Sequence, residues 1–235
     1  MKENIHTPVR KISVVIAAYN EEPRIGEVLK IVEKHPLLDE VIVVNDGSKD
    51  NTSKVVKKYH VKLIENEKNM GKTLSVKHGI EHAKNDIIML IDADLKGLTA
   101  KAVESLARPV LDSKVDWTLS LRKNSGWLMK RLHMDWISGE RVVPKNLLSD
   151  PLIWSRPDVG YGLETLMNKS LLSKKASFKS VYLPSLLITK KAEKIGKLQG
   201  WLNELKMIRQ ISRVLPLPKV IWQFLKMAYR NGRQN

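Results

Sequence analysis

The sequence contains no cysteine, and this absence removes several classes of site at once. Disulfide bonds, thiolate metal sites and cysteine nucleophiles are all excluded. The sequence also lacks any apolar window near the ~18 to 20 residues that a membrane-spanning helix needs. Its first residues lack the apolar core of a signal peptide. We therefore expect a cytoplasmic protein, and peripheral contact with the inner face of the membrane stays open.

Negative charge is scarce in the chain. Its 235 residues include 41 Lys or Arg and 25 Asp or Glu, which gives a formal net charge of +16. Residues 189–235 hold eleven of the basic residues and two of the acidic ones, so more than half of the net charge is local. Such a field attracts phosphate on nucleic acid, on a sugar nucleotide or on anionic lipid. Charge alone does not distinguish these partners.

The first hundred residues alternate between short apolar runs and amphipathic stretches. The apolar runs predict strands over 12–18, 41–44, 61–64 and 87–91, and helices are predicted between them. A helix over 99–111 and a fifth strand over 115–121 follow. Fully apolar strands that alternate with helices imply a mostly parallel sheet covered on both faces, and such sheets bind ligands at the carboxyl ends of their strands.

The second half of the chain is irregular and aromatic, with all six tryptophans at or after Trp117. Residues 160–164 (GYGLE) predict a flexible entry to a helix, and extended stretches are expected around Val181 and Leu187. We predict one α/β domain over 1–188, with halves at about 11–120 and 121–188. A basic segment with two amphipathic helices follows over 189–235.

Two aspartates one residue apart, Asp92 and Asp94, directly follow the fourth predicted strand. Carboxylates together with substrate phosphates are the usual ligands of Mg²⁺ or Mn²⁺. On its own the pair is equally typical of a turn or of a helix start. Its position at a strand end, beside polar clusters at the other strand ends, favours a divalent metal site.

Two further strand-end residues are suited to a nucleotide. Asp46, with Ser48, can hydrogen-bond a base or a ribose, or it can cap the next helix through a turn. Lys72, beside Gly71, can meet a phosphate at a helix N-terminus, although a lone lysine is usually solvated. Neither a Walker loop nor a Gly-x-Gly-x-x-Gly fingerprint is present.

Four motifs together resemble the nucleotide-sugar half of family two glycosyltransferases with the GT-A fold. They are residues 16–22 (IAAYNEE), 44–48 (VNDGS), 69–72 (NMGK) and 92–94 (DAD). The resemblance implies a UDP- or GDP-linked sugar donor and a divalent metal on Asp92 and Asp94 that bridges the diphosphate. The residues that it implies for the donor are Ala17, Ala18, Tyr19, Glu21, Asp46, Lys72 and Asp92.

The second half is similar to one branch of this family, the glucosyl-3-phosphoglycerate synthases and the soluble polyprenyl-phosphate sugar transferases. The likeness rests on residues 138–141 (SGER) and 160–164 (GYGLE). It implies that Gly139 and Arg141 bind the acceptor, with Arg141 on its phosphate, and that Glu164 faces the reacting centre. The synthases have a late histidine as a further metal ligand, whereas the last histidine here is His133.

The C-terminal segment has two interpretations. Its apolar residues, which include Trp201, Leu205, Ile208 and Trp222, are interleaved with lysines and arginines, as in a helix that lies at a membrane interface. The same apolar stripe could instead pack on the main domain or on a second subunit, as in a homodimer. The sequence slightly favours packing.

Our hypothesis is a metal-dependent glycosyltransferase that moves a sugar to a phosphorylated acceptor, either a soluble phosphate such as 3-phosphoglycerate or a polyprenyl phosphate. Glu164 and Asp94 are the predicted catalytic residues. The alternative is a non-catalytic protein of the same fold that binds nucleic acid or a membrane. Nucleic acid is the less favoured partner, because Asp46, Asp92 and Asp94 would repel its phosphates unless a cation intervenes.

Overall fold

The structure, a computed structural model, describes residues 10–156, 162–188, 209 and 211–232. Two sheets lie within this part of the chain. Their strands are β1 (Ile12–Ala18), β2 (Leu38–Asn45), β3 (Lys62–Glu65), β4 (Ile87–Leu90), β5 (Leu95–Lys96), β6 (Trp117–Arg122), β7 (Arg141–Pro144), β8 (Phe178–Leu183) and β9 (Leu187–Ile188). Seven of them form one sheet in the order β3-β2-β1-β4-β7-β6-β8, and β5 pairs with β9.

Helices connect most of these strands. They are α1 (Ile25–Val32), α2 (Thr52–Val56), α3 (Lys72–Glu81), α4 (Ala100–Leu111), α5 (Trp127–Arg131), α6 (Leu163–Ser173) and α7 (Leu217–Gly232). Two short 3₁₀ helices, Lys145–Leu148 and Pro151–Trp154, lie between β7 and α6. Helix α4 begins where predicted because the Thr99 hydroxyl accepts a hydrogen bond from the backbone N–H of Ala102.

The four predicted parallel strands are confirmed. Strand β1 is parallel to both β2 and β4, and β2 is parallel to β3. The fifth predicted strand is also present, as β6, but it does not lie beside β4. An antiparallel strand, β7, separates the two. This strand escapes sequence analysis because its apolar run is only Val142 and Val143, between an arginine and a proline.

Alternate residues of the strands face two hydrophobic cores, one on each side of the sheet. Val14 and Val43 contact the core beneath α1 and α4. Val15 and Ile42 contact the core beneath α3, α6 and α7. Coverage on both faces explains the continuous apolar runs of the central strands, and it leaves the carboxyl edge of the sheet as the open polar rim.

Helix α7 packs against the α/β domain through one face. Val220, Phe224 and Met227 are buried there, and Asn231 accepts a hydrogen bond from the backbone N–H of Ser180 on β8. The opposite face is exposed. Trp201, Leu205 and Ile208, which belong to the first predicted C-terminal helix, lie outside the described residues. Among the residues that are described, no helix has the length and apolar character needed to cross a membrane.

Candidate active site

The carboxyl ends of β1 and β2 form one side of the candidate site. Ala17 and Ala18 pair with Val44 and Asn45, and the N–H of Asp46 donates to the Ala18 carbonyl. Ala17 is half-buried and Ala18 is buried, whereas Tyr19 exposes 42% of its surface. Three of the predicted donor-binding residues therefore lie side by side with Asp46 at the polar rim.

Asp46 fixes the loop that leads into α3. Its Oδ1 accepts hydrogen bonds from Met70 N–H and from the Asn66 amide, and its Oδ2 accepts one from Gly71 N–H at 2.8 Å. Gly71 has φ +88°, a left-handed conformation that favours glycine over any other residue. The bonds and the glycine together set where Lys72, the next residue, leaves the loop.

Lys72 begins α3 and connects the two halves of the domain. Its Nζ lies 2.8 Å from Asp92 Oδ1, just past β4, and 2.8 Å from Glu164 Oε1, in the first turn of α6. The Glu164 side chain is 7% exposed and that of Asp92 18%, whereas the Lys72 side chain is 35% exposed, so the carboxylates are shielded and the lysine stays accessible from the rim. Three residues predicted from separate motifs thus form one ion-paired cluster.

Mutual attraction keeps this cluster charged. Burial alone would lower the pKa of the Lys72 ammonium, but Asp92 and Glu164 outweigh burial and raise that pKa above its ordinary value. Burial alone would raise the pKa of the Asp92 carboxyl, but Lys72, assisted by Arg122 and Arg141, lowers it. Lys72 is therefore a fixed cation at the rim of the sheet, where it can meet phosphate oxygens.

Gly139 lies directly against the Asp92 carboxylate. A Cβ at this position would approach Asp92 Oδ2 to 2.5 Å and Oδ1 to 2.6 Å, closer than real Cβ contacts. Only glycine leaves room for the carboxylate in this orientation. The structure thus gives Gly139 a contact with the aspartate, and its predicted contact with an acceptor stays a prediction.

Arg141, the first residue of β7, is fully buried. Its guanidinium donates hydrogen bonds to the carbonyls of Ser138 and Trp136 and to Asn168 Oδ1, and it stacks 5.7 Å from the centroid of the Trp117 ring. Burial lowers the pKa of Arg141 below its ordinary value. Nearby carboxylates, of which Glu164 has the largest effect, oppose this shift because they favour the charged guanidinium. Its predicted grip on an acceptor phosphate stays a prediction, and that grip would require the phosphate to reach a guanidinium that is fully buried in this structure.

A buried polar network beneath the site was missed by sequence analysis. Arg122 donates two hydrogen bonds to Asp135 Oδ2, and its Nη1 lies 3.7 Å from Glu140 Oε1. The other oxygen of Glu140 accepts from Ser120 and Ser138. Burial raises the pKa of Glu140, and nearby Asp92 adds to the rise. Arg122 and Asp135 are thirteen residues apart in no recognisable motif, so sequence offers no signal for this pair.

The chemistry of the donor set fits a divalent ion that takes further ligands from a substrate. Within the described ranges there is no group of three or more His, Cys, Asp or Glu arranged to hold a metal. Asp92 and Asp94, both half-buried, supply two carboxylates on one turn. Mg²⁺ is typically bound by one or two carboxylates together with phosphate oxygens and water, so the pair suffices for that mode of binding.

The predicted residues therefore fall into two groups. Lys72, Asp92, Glu164 and Gly139 are linked by direct contacts, and Asp46 is joined to them through its bond to Gly71, the residue before Lys72. Glu21 lies further along the rim, where its N–H donates to the Thr52 hydroxyl and its carboxylate pairs with Arg24. Residues 160 and 161 of the predicted entry to α6 lie outside the described residues.

The chain resembles known proteins in sequence and in fold. The model of the family described as glycosyl transferase family 2 matches residues 13–146. The human dolichyl-phosphate beta-glucosyltransferase is 40% identical over 104 residues, which are 37% of this chain and 32% of that protein. An uncharacterised protein of Methanocaldococcus jannaschii is 38% identical over 119 residues, 46% of this chain and 51% of that one.

The solved structures that resemble the chain include glucosyl-3-phosphoglycerate synthase from Mycobacterium tuberculosis, in complex with Mn²⁺, UDP and phosphoglyceric acid. That similarity has a TM-score of 0.69 at 23% identity and covers 88% of this chain and 77% of the synthase. The predicted GT-A fold is confirmed. The curated relatives named above are matched over 32% and 51% of their own lengths, so the chain spans at most about half of each. Because the family model matches more than half of the residues, the chain belongs to glycosyl transferase family 2.

Proposed function

We propose that this protein transfers a sugar from a nucleoside-diphosphate sugar to a phosphorylated acceptor. The observation that carries the proposal is the cluster of Lys72, Asp92 and Glu164, in which one cation from the donor half holds a carboxylate from each half of the domain. The cluster lies at the carboxyl edge of a parallel sheet, where α/β folds bind nucleotides.

The nucleobase and ribose bind along the ends of β1 and β2. Ala17 and Ala18 contribute their backbone at the end of β1, and the exposed ring of Tyr19 beside them is available to stack on a base. Glu21 lines the outer rim and can accept a hydrogen bond from a ribose hydroxyl. Asp46 already accepts three hydrogen bonds, and a carboxylate has about four acceptor sites, so one remains for the N–H of a uracil or guanine base.

The main electrostatic problem of the reaction is the charge that develops on the departing diphosphate. Lys72 meets this charge when it moves from the carboxylates to a phosphate oxygen. Asp92 and Asp94 would hold a Mg²⁺ or Mn²⁺ ion, and the ion would neutralise the diphosphate as a Lewis acid. Asp92 also hydrogen-bonds the ribose in this scheme.

Glu164 faces the acceptor. While Lys72 donates a hydrogen bond to Glu164 Oε1, that oxygen is already engaged by the ammonium. When the Lys72 ammonium moves to the diphosphate, Glu164 Oε1 becomes free. In an inverting reaction it can then take a proton from an acceptor hydroxyl. In a retaining reaction, or with a phosphate acceptor that is already ionised, Glu164 orients groups and stabilises positive charge instead.

The phosphorylated acceptor binds near Gly139 and Arg141. The related proteins suggest two kinds of acceptor. One is a polyprenyl phosphate, as in dolichyl-phosphate beta-glucosyltransferase, and the other is a soluble phosphate, as in glucosyl-3-phosphoglycerate synthase. A guanidinium suits either one, because its planar fork binds phosphate oxygens in bidentate fashion.

The test is a transfer assay with a panel of UDP- and GDP-linked sugars, each offered 3-phosphoglycerate or a short-chain polyprenyl phosphate, with and without Mn²⁺. We expect turnover with one donor that depends on the metal and that Asp94→Ala abolishes. Asp39→Ala is the matched control, because Asp39 pairs with Lys11 and Lys84 at the opposite end of β2.

Two results would overturn the proposal. One is the absence of both transfer and donor hydrolysis across the whole panel in a correctly folded preparation. The other is equal turnover by the wild type and Asp94→Ala, which would remove Asp94 from the mechanism.

A further inference from the structure

The outer face of α7 carries a continuous apolar stripe. Five residues at helical spacing are about half exposed there: Leu217 (46%), Ile221 (58%), Trp222 (60%), Leu225 (54%) and Tyr229 (60%). The inner face of the same helix is buried against the domain. Helix α7 is therefore apolar on two sides, although the fold uses only one of them.

Basic residues accompany this stripe along the sequence. Residues 209–232 contain five Lys or Arg and no Asp or Glu. The Nζ of Lys226 lies 4.7 Å from the centroid of the Trp222 ring, so a positive charge lies over the stripe itself. An exposed apolar stripe accompanied by basic residues is the pattern of a helix that lies in a lipid interface.

We propose that the outer face of α7 docks on the surface of an anionic lipid bilayer. Lipid suits the chemistry of the stripe better than its rivals. A second copy docked on the same face would bring a second set of the same basic residues, Lys219 and Lys226 among them, against the first set, which like charge disfavours. Single-stranded nucleic acid would stack on Trp222 but would gain nothing from Leu217, Ile221 and Leu225, since stacking needs aromatic rings.

Docking in this way places the acceptor side of the site close to the membrane. Gln223, on the inner face of α7, donates to the carbonyl of Thr165, the residue after Glu164. In this position only helix α7 lies between the bilayer and the first turn of α6. The inference goes beyond the proposed transfer and favours the lipid-linked acceptor, but it does not depend on turnover.

The test is vesicle flotation of the full 235-residue chain without donor, acceptor or metal, so its outcome is separate from that of the proposed reaction. The probes are phosphatidylcholine vesicles with and without phosphatidylglycerol. We expect flotation with the anionic vesicles and a loss of about tenfold or more when Ile221, Trp222 and Leu225 are all changed to serine. The pair Lys219→Gln and Lys226→Gln should weaken binding to anionic vesicles selectively.

Tyr182→Ser is the control, because Tyr182 is 54% exposed on β8 and should not affect flotation. Circular dichroism and the urea midpoint show whether the triple variant keeps its fold, which we expect for exposed positions. Three results would contradict the proposal. The first is that the wild type does not float with the vesicles. The second is that the folded triple variant floats as well as the wild type. The third is that the wild type does not bind vesicles but forms a dimer or an RNA complex that the triple variant abolishes.

Discussion

At the scale of single residues, the orientation of Asp92 depends on the hydrogen atom that Gly139 has in place of a side chain. The Asp92 carboxylate occupies the space next to Gly139 that a side chain would need, and Lys72 donates a hydrogen bond to it. Asp92, which follows β4, and Gly139, which precedes β7, are therefore in direct contact. A larger residue at position 139 would displace the carboxylate.

We predict that Gly139→Ala lowers transfer at least about tenfold, because the new methyl group must displace the Asp92 carboxylate from its ordered position. Gly126→Ala is the matched control, since a Cβ there meets nothing within 4 Å. Both variants are compared by kcat/KM and by the unfolding midpoint. Full activity in folded Gly139→Ala would show that the orientation of Asp92 does not matter.

The buried Glu140 makes stability depend on pH. Its pKa in the folded protein is raised above the ordinary value of 4.5, so the folded state binds the proton more tightly than the unfolded state does. This contribution to stability is fully present below pH 4.5 and is lost as the pH rises through the folded pKa. Each unit of pKa difference corresponds to about 1.4 kcal/mol.

We therefore predict that Glu140→Gln gains stability relative to the wild type as the pH is raised from 5 to 8. Glutamine keeps hydrogen-bonding groups towards Ser120 and Ser138 but cannot ionise. Urea unfolding at the two pH values gives the difference directly, because other titrations cancel between the proteins. An identical difference at both values would show that the pKa of Glu140 does not change on folding.

At the scale of elements, the sequence predicts the donor half better than the acceptor half. The runs at β1 to β4 are apolar throughout because both faces of these strands are covered, and the strand ends carry local motifs. Strand β7 has no such apolar run. Arg141 is predicted from the sequence to bind a phosphate, but in the folded protein it is fully buried. The pairs Arg122–Asp135 and Lys72–Glu164 join residues that are distant in sequence, so only the assembled sheet reveals them.

Asp46 accepts the hydrogen bonds from the N–H groups of Met70 and Gly71 in the loop before α3, which makes the order of this part of the loop testable. Asp46→Asn replaces an acceptor with a donor that faces an N–H of the loop, so we predict a loss of about 1–3 kcal/mol of stability. We also predict faster amide exchange at Met70 and Gly71 and weaker donor binding. Asp116→Asn is the control, because Asp116 anchors Ser177 away from the site and should cost stability without any change in donor affinity.

At the scale of the whole molecule, α7 belongs to the folded core and is not an independent tail. The ring of Phe224 lies 6.3 Å from that of Trp136, and Met227 is fully buried. The predicted boundary at residue 188 stays a prediction, and the buried face of α7 fits the packing on the main domain that the sequence slightly favours. The predicted cytoplasmic location and the homodimer stay predictions.

We predict that Phe224→Ala costs about 3–5 kcal/mol, because it leaves a cavity between α7 and the domain. Trp222→Ala, on the exposed face of the same helix, should change stability by less than about 0.5 kcal/mol. Urea unfolding followed by tryptophan fluorescence and by circular dichroism measures both variants. Equal, small effects would mean that α7 is not packed on the domain in solution.

The most direct test of the central claim is calorimetric binding of UDP to the wild type, to Asp94→Asn and to Asp39→Asn, each with and without Mn²⁺. We predict that Mn²⁺ tightens UDP binding about tenfold or more in the wild type and in Asp39→Asn, and that Asp94→Asn loses this gain. The same UDP affinity with and without the metal in all three proteins would mean that Asp94 does not hold a metal at the nucleotide.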